Sequence, residues 1–521
     1  MNDVAERRLH ALDELRADAL LSGGLKGVEK ESLRVTPQGH IALTPHPAAL
    51  GSALTHPYIT TDFSEALIEL ITPPFAAVRD TLAFLEDLHR YVYQSIDDEL
   101  LWSTSMPCMV GGDESVPIAR YGTSNIAKMK QVYRTGLSHR YGSVMQTIAG
   151  VHFNYSLPEA FWPAYHEIEG SRESAQAFRS RCYFDLVRNF HRHGWLISLL
   201  FGASPAVCKS FLPDPPPSFE AFDHGTLYQP HATSLRMSDI GYKGDNQASL
   251  YVSYDSLDEY VACLEHAIET PFPEYERIGV QVGGEYRQLN ANLLQIENEF
   301  YSFIRPKQIA DSGEKPTHAL RQRGVRYVEV RALDIASYDP IGVSEAQLRV
   351  VEALLIHCLL ASSPPLAERE YRACSNNQRL VACCGRHPEL ILADNGHERP
   401  MHGWALEILG ALRPICARLD AGDGAEAYSR ALAAAVDSVA DPARLPSTRL
   451  IDEMRETGQP FFRATMNRSS AFAGSFRAMP LTGPRREEFA AGARRSLERQ
   501  REVERSDTLS FDQFLAAYFA S

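Results

Sequence analysis

The chain has 521 residues, enough for a large core, with 44% apolar and 23% charged residues and a formal net charge of −14. That is an ordinary globular balance, and its acidity excludes a general nucleic-acid binder, which must neutralise phosphates with basic side chains. Nine cysteines, an odd number with no Cys-x-x-Cys pair, predict neither a disulfide framework nor a zinc site. Most are read as reduced, buried thiols.

The first twenty residues are charged throughout and show no basic start leading into an apolar run, so no secretory signal is expected and the cytoplasm is the expected compartment. Val4, Leu9, Leu12, Leu15 and Ala19 recur at near-helical spacing and predict an amphipathic helix over 3–20, ended by Gly23-Gly24. Residues 27–35 read as a strand and 36–40 as a turn. Within that strand Glu29 and Glu31 flank Lys30. Side chains at i and i+2 of a strand share a face, about 7 Å apart by strand rise. Unpaired like charges so close are unfavourable, and a bound divalent cation with a taste for hard oxygen, such as magnesium, removes the conflict. The alternative is a strand face solvated by water.

In the segment 60–73, Asp62 precedes Glu69, which sits inside the apolar run Ala66 to Ile71. A carboxylate there is costly to bury unless paired or bound to metal; one polar face of an ordinary element is the other reading. A long helix is expected over about 76–99 and another over 171–200. Between them, Val144 to Tyr155 reads as a strand in which His152 and Asn154 share a face with Gln146 and Ile148, unless a bulge intervenes at Gly150. A lone histidine on such a strand is more often a satisfied core residue than a ligand.

Four prolines between Pro213 and Pro217 mark a loop. Ile278, Val280 and Val282 alternate up to Gly283-Gly284, with Glu285 to Asn290 beyond; two strands joined by a Gly-Gly turn predict a hairpin. Residues 325–333 predict a further strand, with Glu329 and Arg331 again at i and i+2. They are either an ion pair or a metal ligand beside a cation that stabilises a transferring phosphoryl group. The most apolar stretch, Val350 to Ala361, carries Glu352 and His357 and is too short for a membrane span of about 20 residues. Helices dominate from 344 onward, including a charged one around 485–505.

These elements predict an α+β fold with antiparallel pairing: one domain over 1–521, with catalytic strands within about 25–335 and a mainly helical region over 344–521. A glycine-rich phosphate loop ending in Lys-Ser or Lys-Thr does not occur. Neither do HExxH, GxSxG or kinase signatures. Gly422-Asp423-Gly424 is a weak nucleotide signal. If ATP binds, metals and side chains on a sheet must hold it.

Several ordered segments are similar to the proteobacterial glutamate–cysteine ligases. They are Gly27 to Val35, His46 to His56, Ile59 to Leu67, Ala119 to Asn125, Arg140 to Gly142 and on to Tyr155, Ala232 to Asp239, Gln295 to Tyr301, Ile304 to Lys307 and Tyr327 to Arg331. The resemblance runs from about residue 9 to 345 and weakly beyond. Lys30 stands where an arginine is common, and from about 365 only Asn377, Arg379 and Gly385-Arg386 keep a similar order.

The resemblance implies a glutamine-synthetase-like funnel of antiparallel strands surrounded by helices. It also implies ATP-dependent joining of the glutamate γ-carboxylate to the cysteine amine through a γ-glutamyl phosphate. By the same resemblance, Glu29, Glu31, Asp62, Glu69, His152 and Glu329 are metal ligands for magnesium, with manganese as a substitute. Arg236 and Arg331 contact the phosphate or the substrate carboxylate, and Phe63, Tyr133, Gln146, Tyr242 and Tyr301 form the cysteine pocket. Glutamate, cysteine and ATP are then the partners, with no nucleic acid, no membrane and a monomer expected. A ligase for glutamate and another amine, a metal-dependent hydrolase and a non-catalytic binder are the rival readings.

Overall fold

The computed structural model describes residues 2–16, 18–241, 250–311, 313–423 and 425–520. Its centre is a seven-stranded sheet. The strands are Leu25–Val35 (β1), Ile59–Thr61 (β2), Leu67–Ile71 (β3), Leu100–Leu101 (β4), Gly150–Ser156 (β5), Ile304–Lys307 (β6) and Tyr327–Asp334 (β7). They run in the order β6-β7-β5-β1-β3-β2, with β4 beside β1, and every pairing is antiparallel.

Strand alternation divides the sheet into two unlike faces. Val28, Ile68, Leu70, Val151, Phe153, Tyr155, Val328 and Val330 all point one way and are completely buried. Burial of each such side chain contributes about 1.5–3 kcal/mol. The helices Val78–Tyr93, Ala175–His193 and Trp195–Phe201 contact β1, β6 and β7. The apolar stretch containing Glu352 forms the buried helix Glu345–Leu360. Its buried acid is matched there: Glu352 pairs with Lys26 of β1 at 2.8 Å and accepts the Tyr428 hydroxyl at 2.7 Å. The opposite face of the sheet carries the acids.

Several expectations need correction in detail. The first helix is Asn2–Glu14, followed by a short 3-10 helix over Asp18–Gly23. The 76–99 helix is Val78–Tyr93, and the 171–200 segment breaks at Gly194 into two helices. Gln146 is not on a strand: Met145–Thr147 is a 3-10 turn and β5 begins only at Gly150. Gly283-Gly284 does make the hairpin turn, with φ of +63° and +90°, but its strands are two residues each and pair only with one another. Antiparallel pairing in the main sheet therefore owes nothing to that hairpin. One cysteine pair also departs from the reduced reading. Cys108 and Cys208, 100 residues apart in sequence, form a disulfide with Cα atoms 5.2 Å apart. Their proximity is made by the fold and leaves no trace in spacing.

Candidate active site

β1 supplies the first two acids. Its register sets Glu31 directly opposite Glu69 of β3 and Glu29 directly opposite His152 of β5. Directly opposed residues project from the same face. β7 adds Glu329 opposite Asn154, and β6 adds Arg305 opposite Glu329. The β5–β7 register slips between Val330 and Leu333, a bulge of the kind that re-aims side chains beside active sites. Asp62 lies in the turn after β2. Its carbonyl is held by the Tyr121 hydroxyl at 2.9 Å and by the Arg134 guanidinium.

These side chains meet in one cavity of about 610 Å³. Glu29, Glu31, Asp62, Glu69, His152, Glu329 and Arg331 all line it. His152 Nδ1 is 3.2 Å from Glu29 Oε2 and 3.4 Å from Glu329 Oε1, and its Nε2 is 3.8 Å from Glu31 Oε1. One donor atom from each of Glu29, His152 and Glu329 lies within 4.8 Å of the others. Glu29 also accepts from Asn154 Nδ2 at 2.8 Å, and Glu31 from the Gly150 amide at 2.6 Å. Glu329 faces Arg331 at 3.0 Å and Lys307 at 3.5 Å, yet its buried Oε2 accepts no hydrogen bond among the described residues. A buried carboxylate oxygen left so, beside a carboxylate and an imidazole, fits a divalent cation.

The electrostatics show the strain of the arrangement. Burial, then the charges of Glu29, Asp62 and Glu31, push the Glu69 carboxyl well above its ordinary range. Burial also raises Glu31, against the charges of His152 and Arg236. For Glu29 burial acts upward, but the hydrogen bond and charge of His152 together with Lys307 bring it below the usual value. For Glu329 burial is outweighed by Lys307, Arg331, His152 and Arg305, which hold it well below.

Phe63, Tyr133, Gln146 and Tyr301 line the same cavity. Tyr242 lies outside the described residues. Arg236 is not on the wall: it sits behind Arg331, with Nη2 donating to the Arg331 carbonyl at 3.0 Å and Nη1 4.0 Å from Asp334. It reaches that position across Gly150, where an added Cβ would fall 2.1 Å from Nη2. Lys30 points to the opposite face, with His89 Nε2 3.4 Å away, and burial lowers its ammonium to about 7.

Sequence reasoning assigned no role to Lys130, Arg134, Arg305 and Lys307, which bring positive charge to the cavity, or to Val503 and Tyr518, which complete its wall from the C-terminal helices. Arg305 and Lys307 carried a usable signal, since two cations at i and i+2 of a strand share a face. Tyr518 carried none: its helix reaches the site only through tertiary contacts, such as Lys315 Nζ donating to the Phe519 carbonyl at 3.2 Å.

The family model described as glutamate-cysteine ligase matches residues 9–381. A glutamate–cysteine ligase of Alcanivorax borkumensis is 48% identical over 520 residues, covering 99% of both chains. One of Azotobacter vinelandii is 49% identical over 524 residues, covering 100% of this chain and 99% of its own. The solved glutamate–cysteine ligase of Francisella tularensis, in complex with AMP, superposes with a TM-score of 0.91 at 34% identity, covering 96% of this chain and 98% of that one. A bifunctional glutathione synthetase of Pasteurella multocida superposes at a TM-score of 0.72 and 25% identity, covering 90% of this chain and 54% of its own. The likeness extends through the C-terminal third, where sequence segments alone matched weakly. With the model match spanning most of the chain and relatives of that name aligned along all of it, the chain belongs to the glutamate–cysteine ligase family.

Proposed function

We propose that the acid-lined cavity is where this chain carries out the ATP-dependent reaction of its family, joining the γ-carboxylate of glutamate to the amine of cysteine. The observation that carries the assignment is the convergence of Glu29, Glu31, Asp62, Glu69, His152 and Glu329 from four separate stretches of chain, bordered by Arg331 and Lys307. A carboxylate has a poor leaving group and does not acylate an amine at neutral pH. Transfer of the ATP γ-phosphoryl group to it gives an acyl phosphate, which the cysteine amine attacks with loss of phosphate. Magnesium, or manganese in its place, held by the six candidate ligands, would supply Lewis-acid neutralisation of phosphate oxygens.

The chain's own residues do the rest. Arg331, held against Glu329, presents fixed positive charge to the transferring group, and Lys307 adds a second cation. Arg236 acts through Arg331 by tying down its backbone carbonyl, so it is a positioning residue. Phe63, Tyr133, Gln146 and Tyr301 receive the cysteine side chain, with Tyr242 assigned to the same pocket, and exclude the water that would hydrolyse the acyl phosphate. Holding both reactants in one cavity supplies much of the acceleration. A nucleotide substrate is in keeping with the AMP bound to the Francisella relative. A reaction that consumes ATP fits the cytoplasm, the compartment we assign to it. Among the described residues no helix is long and apolar enough to cross a membrane.

The test is ADP release with glutamate and cysteine each omitted in turn, with and without magnesium, and with 2-aminobutyrate and unrelated amines in place of cysteine. Dependence on all components, with cysteine or 2-aminobutyrate preferred, is expected. ADP release that ignores either amino acid, or a stronger preference for another amine, refutes the assignment.

A further inference from the structure

We propose that a second cavity, of about 650 Å³ and sharing no lining residue with the first, binds a small zwitterion: an amino acid or short peptide. It lies between the turn after β7 and the helices Pro446–Thr457 and Phe461–Ala478. Its volume falls within the range of small-molecule sites.

Tyr338 forms its centre. The guanidinium carbons of Arg449 and Arg468 lie 3.7 and 4.5 Å from the ring centroid. The Arg468 side chain is only 9% exposed, and its Nη2 donates to Glu453 at 2.6 Å. The same Glu453 oxygen accepts the Tyr338 hydroxyl. Arg468 Nη1, however, is buried and has no hydrogen-bond partner among the described residues. Arg449 is exposed and lies over the ring without a carboxylate partner among the described residues. Both arginines line the cavity: the exposed Arg449 guanidinium offers its donors to a planar oxyanion, and the buried charge of Arg468 lies beside it.

The remaining charges decide which kind. Arg444, the third arginine of the lining, is engaged by Asp437 at 3.3 Å and Asp441 at 3.5 Å, whereas Asp452, held by Arg455 only at a long 3.7 Å, and the exposed Glu456 line the same cavity. A phosphate dianion would meet both acids with repulsion. A carboxylate set on Arg449 and Arg468, with an ammonium a few bonds away facing Asp452 and Glu456, satisfies both signs. This inference does not rest on the function proposed for the first cavity.

The experiment is calorimetric titration of the full-length protein with glycylglycine, N-acetylglycylglycine and inorganic phosphate. Saturable glycylglycine binding is expected, with the acetylated peptide and phosphate both weaker. Arg449→Leu, at an exposed position, should weaken glycylglycine about tenfold, the loss of one charge-assisted contact. Arg468→Lys, which keeps a charge for Glu453 but lacks the second fork, should weaken it as well. Glu29→Gln in the first cavity should change nothing. The proposal is overturned by no saturable binding, by unchanged affinity in Arg449→Leu, by phosphate binding more tightly than glycylglycine, or by loss of binding in Glu29→Gln.

Discussion

Replacing Glu69 with glutamine should make the metal-free protein more stable and the enzyme inactive. Glu69 sits directly across the sheet from Glu31, and Glu29 and Asp62 line the same cavity. Like charges directly opposite on a sheet are unfavourable by about 0.2–1 kcal/mol. One such pair plus two nearby carboxylates sets the expected gain at about 1 kcal/mol for Glu69→Gln in EDTA. Magnesium acts the other way. A ligand that binds only the folded state stabilises it by about 2.7 kcal/mol at a hundredfold excess over Kd. A variant with a hundredfold weaker affinity loses most of that increment. Urea midpoints of wild type and Glu69→Gln, each with EDTA and with magnesium, should therefore cross: the variant higher without the cation, the wild type higher with it. ADP release by the variant should fall at least about a hundredfold, the scale for losing one preorganised electrostatic group. Equal magnesium increments in the two proteins, or near-normal turnover in the variant, would refute the reasoning.

Glu29→Gln and Glu329→Gln should abolish ADP release at saturating magnesium, and turnover near the wild-type rate in either would remove it from the ligand set. Gly150→Ala should displace Arg236, because the added Cβ falls 2.1 Å from Nη2; kcat/KM is expected to drop about tenfold or more, the scale of a small misplacement at a positioned group. Tyr518→Ala removes part of the cavity wall and should raise a substrate KM more than it lowers kcat, a split read from steady-state kinetics. His191 is held down to about 3 by burial, with Arg192 adding to the effect. Its folded value lies below the ordinary 6.5, so as pH falls the unfolded chain takes up the proton first. Stability present at neutral pH is then lost below about pH 6.5, by about 2 kcal/mol at pH 5. His191→Phe, among Tyr254 and Tyr371 at centroid distances of 4.4 and 5.4 Å, should shrink the difference in unfolding free energy between pH 7.5 and pH 5 by that amount. An unchanged difference would show that the imidazole is not buried neutral.

What the sequence made legible was local. Glu29 with Glu31, and Glu329 with Arg331, declared themselves by the two-residue period of a strand, and all four line the cavity. Glu69 stood out because a carboxylate inside an apolar run needs a reason. That these strands pair with one another, setting Glu31 against Glu69 and Glu29 against His152, is a matter of register between residues 38 and 123 positions apart. No periodicity encodes it; there the family resemblance supplied what the residues alone left open. The same limit hid Tyr518 and the Cys108–Cys208 pair, whose neighbours exist only after folding. Gln146 lines the cavity, but not from the continuous strand that the apolar run before Gly150 suggested: the chain turns through 145–147 before the strand begins.

The two faces of the sheet explain why such a site can exist in a stable protein. One face buries fully enclosed apolar side chains such as Val28, Phe153 and Val330 against helices, and that burial is indifferent to what the other face carries. The acids are thus gathered on strands whose positions are already fixed from behind, so mutual repulsion cannot splay them apart. Because the strands resist relaxation, a divalent cation held among the acids would relieve a repulsion that the backbone cannot. A cavity opened beneath β1, as by Val28→Ala, should therefore weaken magnesium binding although it touches none of the candidate ligands, and an unchanged magnesium affinity in a folded Val28→Ala protein would show that the acids are held by local contacts alone.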